Sequence, residues 1–317
     1  MTEAVPLLDV RNLTVSVGSV AAVREVTFSL APGRRTGLIG ESGSGKTLTA
    51  LAVMGLLPDN LRAQGSVAFE GRSLLDLPER ALARLRGNRI AMIFQEPLTA
   101  LDPLQRIGDQ IAEPLRIHRG LSRAAARDRA RELLERVQLP DPTAQLRAYP
   151  HQLSGGQRQR AMIAMAVACG PDLIVADEPT TALDVTVQAG ILALLGRLVD
   201  EEHASLLLIT HDLPVVSETC DDVLVMYGGT IVEVGSAEEV FSRPRHPYTA
   251  GLLDAIPPVD SSSSRRLAAI PGAVPGLGDF PSGCPFRTRC PRADAECTAL
   301  PRRAEEVHSV ACWHPLA

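Results

Sequence analysis

Lysine is almost missing from this sequence. The chain carries 32 basic residues, and Lys46 is the one lysine among them. Positive charge does not dominate either. The 37 acidic residues leave a formal net charge of −5, and the arginines are dispersed, so nothing points to nucleic acid as a partner. Long apolar runs are also missing: none approaches the roughly 18–20 residues that span a bilayer. The opening Met1-Thr2-Glu3-Ala4 lacks the basic-then-apolar pattern of a secretory leader. The expectation is a cytoplasmic chain whose membrane role, if any, runs through partners. No internal repeat is visible. What is present, 45% hydrophobic and 22% charged residues over 317 positions, is the composition of a globular protein with one large domain and an appendage, or two domains. Six cysteines in such a compartment read as thiols or metal ligands rather than disulfides.

The lone lysine sits in Gly40-Glu41-Ser42-Gly43-Ser44-Gly45-Lys46-Thr47, between an apolar run at 36–39 and a helix-forming run at 48–54. Strand, glycine loop, helix is the context of a phosphate-binding P-loop. Glycines let successive N–H groups turn inward around phosphate oxygens, and the helix start adds the positive end of its dipole. Lys46 would reach the β- and γ-phosphates and the Thr47 hydroxyl would bind Mg²⁺. A compact ammonium fits there where a forked guanidinium does not.

Along the chain, 7–17 and 23–30 read as strands joined at Gly18-Ser19, and 35–39 as a buried strand feeding the loop. Further strands are expected at 65–69, 90–94, 173–176 and 205–210. Helices are expected at 107–118, 123–138, 157–168 and 186–202, with Leu133, Leu134 and Val137 as an apolar stripe. The β/α alternation argues for an α/β nucleotide-binding core. Gly228-Gly229, between apolar runs at 223–227 and 230–234, is a hairpin signal. After about Phe241 the texture changes: eleven of the 24 prolines lie in 241–317. Residues 258–266, with a serine tract, read as a linker, and 267–317 as a small irregular module.

Two more stretches carry chemistry. An apolar run at 173–176 ends in Asp177-Glu178, at the strand end where parallel sheets place ligands. Asp177 would hold Mg²⁺ and Glu178 would orient or deprotonate an attacking water. Leu153-Ser154-Gly155-Gly156-Gln157 offers N–H groups and a hydroxyl at a helix start, suited to an anion; an ordinary N-cap at Ser154 is the plain alternative.

These motifs, with Gln95, Ala182-Leu183-Asp184 and His211, stand in the order found in ABC transporter ATPase subunits, which the chain resembles from residue 7 to about 241. The resemblance implies a P-loop ATPase with a RecA-like core, an antiparallel β subdomain and a helical signature subdomain at about 96–168, the ATPase domain occupying 1–257. It implies ATP contacts at 40–47 and Thr49, and a head-to-tail pair in which Ser154, Gly155, Gly156, Gln157 and Asp184 face nucleotide held by the mate. It gives Gln95 a share in sensing Mg²⁺ and water, and has His211 hold the γ-phosphate and Glu178 in line. The family's aromatic against adenine is missing, because no aromatic lies between Val10 and Val26, and Val17 stands at the matching place.

A narrower resemblance is to the oligopeptide/dipeptide importer branch. It is carried by 93–103, 180–188, His246-Pro247-Tyr248-Thr249 and a tail with Cys-Pro-Phe-Arg-Thr-Arg-Cys and Ala-Cys-Trp-His-Pro. The branch implies two membrane permeases docking near 97–103, a second and different ATPase subunit, an extracytoplasmic peptide-binding protein, and a place on the cytoplasmic face of the membrane. Nickel, a glycoside or an opine-like solute are alternative cargoes; a soluble ABC ATPase is the alternative outside transport. Cys284, Cys290, Cys297 and Cys312 fall within 29 residues, a density that reads as a metal site in a module with little core. Sulfur ligation fits zinc or iron–sulfur, and the spacing matches neither usual pattern. The branch's similarity implies a four-iron four-sulfur cluster. Cys169 and Cys220 read as inert buried thiols.

Overall fold

The computed structural model of the protein describes residues 5–181, 183–256, 269–304 and 306–317. The linker expected at 258–266 lies outside the described residues. In chain order the strands are β1 (Leu8–Val17), β2 (Val20–Leu30), β3 (Arg35–Ile39), β4 (Leu61–Phe69), β5 (Arg72–Ser73), β6 (Ile90–Ile93), β7 (Leu173–Asp177), β8 (Ser205–Thr210), β9 (Asp222–Tyr227), β10 (Thr230–Ser236) and β11 (Ser309–Val310). Two compact units emerge. One is built chiefly from Asp76–Leu208, the other from Leu8–Ser29, Arg35–Leu75 and Ile209–Ala317.

In the second unit an antiparallel sheet runs in the order β2-β1-β4-β5. Each long strand changes phase part-way. In β1 the buried positions are Leu8 and Val10, then Leu13 and Val15; the register against β4 slips between Arg11 and Thr14, and Asn12 takes φ 50°. In β2 they are Val23, then Val26, Phe28 and Leu30, and Glu25 takes φ 47°. An extra residue in a strand moves everything beyond it to the other face, so the paired irregularities keep apolar side chains inward along the whole length. Threonine hydroxyls of the opposite strand receive the displaced amides, Asn12 N–H on Thr27 Oγ1 at 2.9 Å and Glu25 N–H on Thr14 Oγ1 at 3.2 Å. The same unit holds the strand order β11-β10-β9-β3, with β3 parallel to β9 and the β9–β10 hairpin turning on Gly228-Gly229. Both glycines have positive φ, 55° and 82°, as a two-residue hairpin turn requires.

In the first unit β8, β7 and β6 are neighbours in that order, with β6 parallel to β7. All residues of β6 and β7 are buried, which is why both read as continuous apolar runs. Helices Ile107–Arg119 and Arg123–Arg136 pack on each other and on Gly155–Ala166. Leu133, Leu134 and Val137 are fully buried, as the stripe predicts. No helix among the described residues is long and apolar enough to cross a membrane.

Candidate phosphate-binding and hydrolytic site

Residues 40–47 leave β3 and turn into the helix Lys46–Met54. Gly40 is required by contact: a Cβ there would stand 2.1 Å from the Met226 carbonyl oxygen, at φ 152°. Lys46 is buried, and its Nζ donates to the Gly40 and Glu41 carbonyls at 2.7 and 3.1 Å. The ammonium is thereby folded back over the loop. Thr47 is exposed, while Thr49 is fully buried and donates its hydroxyl to Gly45 O at 3.0 Å, bracing the loop from within the helix. Ser44 Oγ is buried and has no hydrogen-bond partner among the described residues. A buried hydroxyl left unsatisfied is costly, and here it sits in a loop whose backbone suits an anion, so the residues present fit a phosphate group.

The loop is also held from the C-terminal side of the chain. Glu41 N–H donates to Tyr248 OH at 2.8 Å, and the Glu41 carboxylate accepts from both terminal nitrogens of Arg289, at 2.7 and 3.2 Å. Tyr227, Tyr248, Phe280 and Phe286 form a ring cluster here, with centroids 4.6–6.1 Å apart. Burial pushes the Tyr227 and Tyr248 hydroxyls above their ordinary range. In the sequence Tyr248 and Arg289 stand out only as parts of family motifs, and nothing in their spacing announces that they meet Glu41.

In the first unit Asp177 ends β7, 2% exposed. Glu178 follows with φ 45°, a strained conformation for a non-glycine residue. Its Oε2 accepts from Gln95 Nε2 at 3.3 Å and from Thr181 Oγ1 at 2.7 Å. Gln95 and Glu178, 83 residues apart, are thus brought together, and Thr181 is a partner that sequence reasoning missed. Ser154 and Gln157 close a capping box on helix Gly155–Ala166: Gln157 N–H donates to Ser154 Oγ at 3.3 Å and Ser154 N–H to Gln157 Oε1 at 2.9 Å. The plain N-cap is thus what the geometry shows at Ser154, and Ser154 and Gly155 are exposed. Asp184 caps helix Val185–Glu202 through Val187 N–H at 3.0 Å, and the adjoining Val185 is 81% exposed. Ala182 lies outside the described residues. His211 follows β8 in the second unit and is exposed.

Cys284, Cys290, Cys297 and Cys312 line one small cavity of about 10 Å³, together with His246 and Phe286. Burial drives the Cys284 thiol up to about 11, and raises Cys290 and Cys312 as well. His246 Nδ1 accepts the Tyr248 N–H at 3.0 Å, so the ring proton is on Nε2, which is buried without a partner. An all-sulfur donor set beside an orphaned N–H fits a metal centre with negative ligands. Asp294, Cys297 and His314 offer a second, mixed set with donor atoms within 4.8 Å of one another. Cys169 and Cys220 are buried, and desolvation raises both thiols, Cys220 to about 11, which suppresses the thiolate that reacts.

Residues 23–181 match the family model described as ABC transporter. The chain belongs to the ABC transporter family. As an ABC-type ATPase it acts on ATP with Mg²⁺. Residues 232–297 match a second model, the oligopeptide/dipeptide transporter C-terminal region. The oligopeptide transport ATP-binding protein OppD of Salmonella typhimurium is 50% identical over 299 residues, covering 93% of this chain and 89% of the relative. OppD of Escherichia coli is 48% identical over 320 residues, covering 99% and 95%. Among solved structures, a dimeric ATP-binding cassette, MJ0796, in a post-hydrolysis state with ADP and phosphate, aligns with TM-score 0.64 and 29% identity over 73% of this ABC ATPase and 98% of that chain.

Proposed function

We propose that this chain is the ATP-hydrolysing subunit that energises import of di- and oligopeptides. The observation that carries the reading is the C-terminal region: the match at 232–297 is the one specific to peptide transporters, and it contains residues that grip the P-loop, Tyr248 and Arg289. In this reading residues 40–46 cradle the triphosphate, with Thr49 bracing the loop. Thr47, Gln95 and Asp177 would hold Mg²⁺, which would offset phosphate charge. Glu178, fixed by Gln95 and Thr181, orients and deprotonates water, and His211 keeps the γ-phosphate in line. Catalysis is then positioning plus charge stabilisation of phosphoryl transfer to water.

Ser154, Gly155, Gly156, Gln157 and Asp184 meet the nucleotide of a second ATPase subunit, a different chain. The exposed Val185 beside Asp184 supports a covered face there. Two permeases dock near 97–103, where Leu98 is 58% exposed, and an extracytoplasmic protein delivers peptide. The subunit works at the cytoplasmic face of the membrane. Cys284, Cys290, Cys297 and Cys312 hold a four-iron four-sulfur cluster. A single zinc ion is the second reading, favoured by a cavity with room for roughly one water molecule.

The test is reconstitution of the assembled complex in vesicles. ATP-driven uptake of a labelled tripeptide is expected, lost with Lys46→Ala. Uptake of nickel or a glycoside but of no peptide would overturn the assignment.

A further inference from the structure

The geometry points to Arg289, in the cysteine module, as a positioning residue for the phosphate cradle that cancels the charge of Glu41 and so sets ATP affinity. Glu41 puts a carboxylate inside the loop. A carboxylate one position from Gly40, whose carbonyl receives Lys46 Nζ, would repel a triphosphate. The fold meets that charge with a guanidinium brought from 248 residues away.

Arg289 is 8% exposed and each of its three nitrogens donates. Nη1 and Nη2 fork onto the two Glu41 oxygens, Nη1 also reaches Tyr227 OH at 3.3 Å, and Nε donates to Pro271 O at 2.9 Å. Its plane lies over the Tyr227 and Phe286 rings, 5.8 and 6.0 Å from their centroids. A planar fork used this way is not replaceable by an ammonium. Tyr248 holds the Glu41 amide at the same time, so the pair is fixed at both backbone and side chain. Arg289 adjoins Cys290, which ties its placement to the module's own folding. Partial burial lets the pair act with less screening than a surface pair.

The inference rests on 40–47 being the nucleotide cradle. A double-mutant cycle on the full chain tests it, reading Kd for a fluorescent ATP analogue with Mg²⁺ and kcat at saturating ATP. Arg289→Gln leaves Glu41 uncompensated and should raise Kd about tenfold, or ~1.4 kcal/mol, with kcat within about twofold. Glu41→Gln alone should raise Kd less than about threefold, and adding it to Arg289→Gln should bring Kd back to within about threefold of wild type. A role confined to holding the module would not show that recovery. Unchanged Kd in Arg289→Gln, or a double variant as weak as the single one, overturns the inference. If Arg289→Gln fails to fold, Arg289→Lys takes its place, with a rise of about threefold that Glu41→Gln erases; no rise, or one that persists, overturns it. Lys46→Ala should abolish binding; retained binding would instead overturn the cradle assignment beneath the inference.

Discussion

Glu178 concentrates what a single residue contributes. Its left-handed backbone turns the side chain out of the strand direction set by Asp177, and two donors then fix one carboxylate oxygen. In the proposed role, a base held this way is pre-aimed, and its value would lie in proton acceptance rather than in binding. Glu178→Gln keeps the shape and can still accept from Thr181, but cannot take a proton. ATP turnover should fall by ~10²–10⁴-fold while nucleotide affinity is kept, as measured by phosphate release beside equilibrium binding. Equal turnover would remove Glu178 from the chemistry. The Asp-Glu pair was legible because an apolar run ends there. The hydrogen bond from Thr181 was not, since no periodicity encodes where a loop residue points. Glu41 shows the same limit: its meaning depends on Arg289, and a spacing of 248 residues carries no signal.

At the scale of elements, buried strands were readable along their length, while two partly exposed ones were readable only in part. β6 to β8 are buried throughout. The second strand was expected to start at 23, and it starts at Val20, because the irregularity at Glu25 breaks the alternation that marks a strand. β4 was expected only from 65, since residues 61–66 are exposed or half-exposed and show no buried alternation before Val67. Helix Pro247–Asp254 was hidden by the proline density of its surroundings, yet proline is tolerated in a first turn, where its missing N–H has no partner to lose. The helix Gly155–Ala166 was expected two residues late, its glycines masking the start. Its N-terminus makes a prediction of its own. Ser154→Arg removes a cap, costing about 1 kcal/mol of stability, and places a long cation where the mate's nucleotide would bind. ATP should still bind at Lys46, while ATP-driven pairing with the second ATPase subunit, followed by light scattering, should be lost. ATP-driven pairing that persists in the variant would show that this helix end does not act across an interface.

For the molecule as a whole, the question is what holds a proline-rich tail of few apolar residues in place. Among its described residues the buried apolar side chains come to little more than Cys284, Phe286, Cys297 and Val310. Polar ties do much of the rest. Glu233, fully buried in β10, accepts from the Arg245 and His246 amides and meets His308 Nε2 at 2.8 Å, and Arg303 reaches Thr27 O at 2.7 Å. None of these was visible in the sequence, where Glu233 looks like an ordinary strand residue, whereas the cysteine density was visible, and the four thiols do line one pocket. A module with so thin a core needs a covalent or metal staple. Burial also disfavours the thiolates that Cys284, Cys290 and Cys312 would have to become, and in the proposed reading a bound cation would supply the compensation. Protein purified without oxygen should therefore contain about four irons and four sulfides per chain and absorb in the visible. Cys297→Ser should lose that absorption and melt the tail at lower temperature while the first unit keeps its helices. One equivalent of zinc with no iron would replace the cluster by a tetrahedral ion. Metal-free protein of unchanged melting temperature would mean that Glu233 and Arg289 hold the module by themselves.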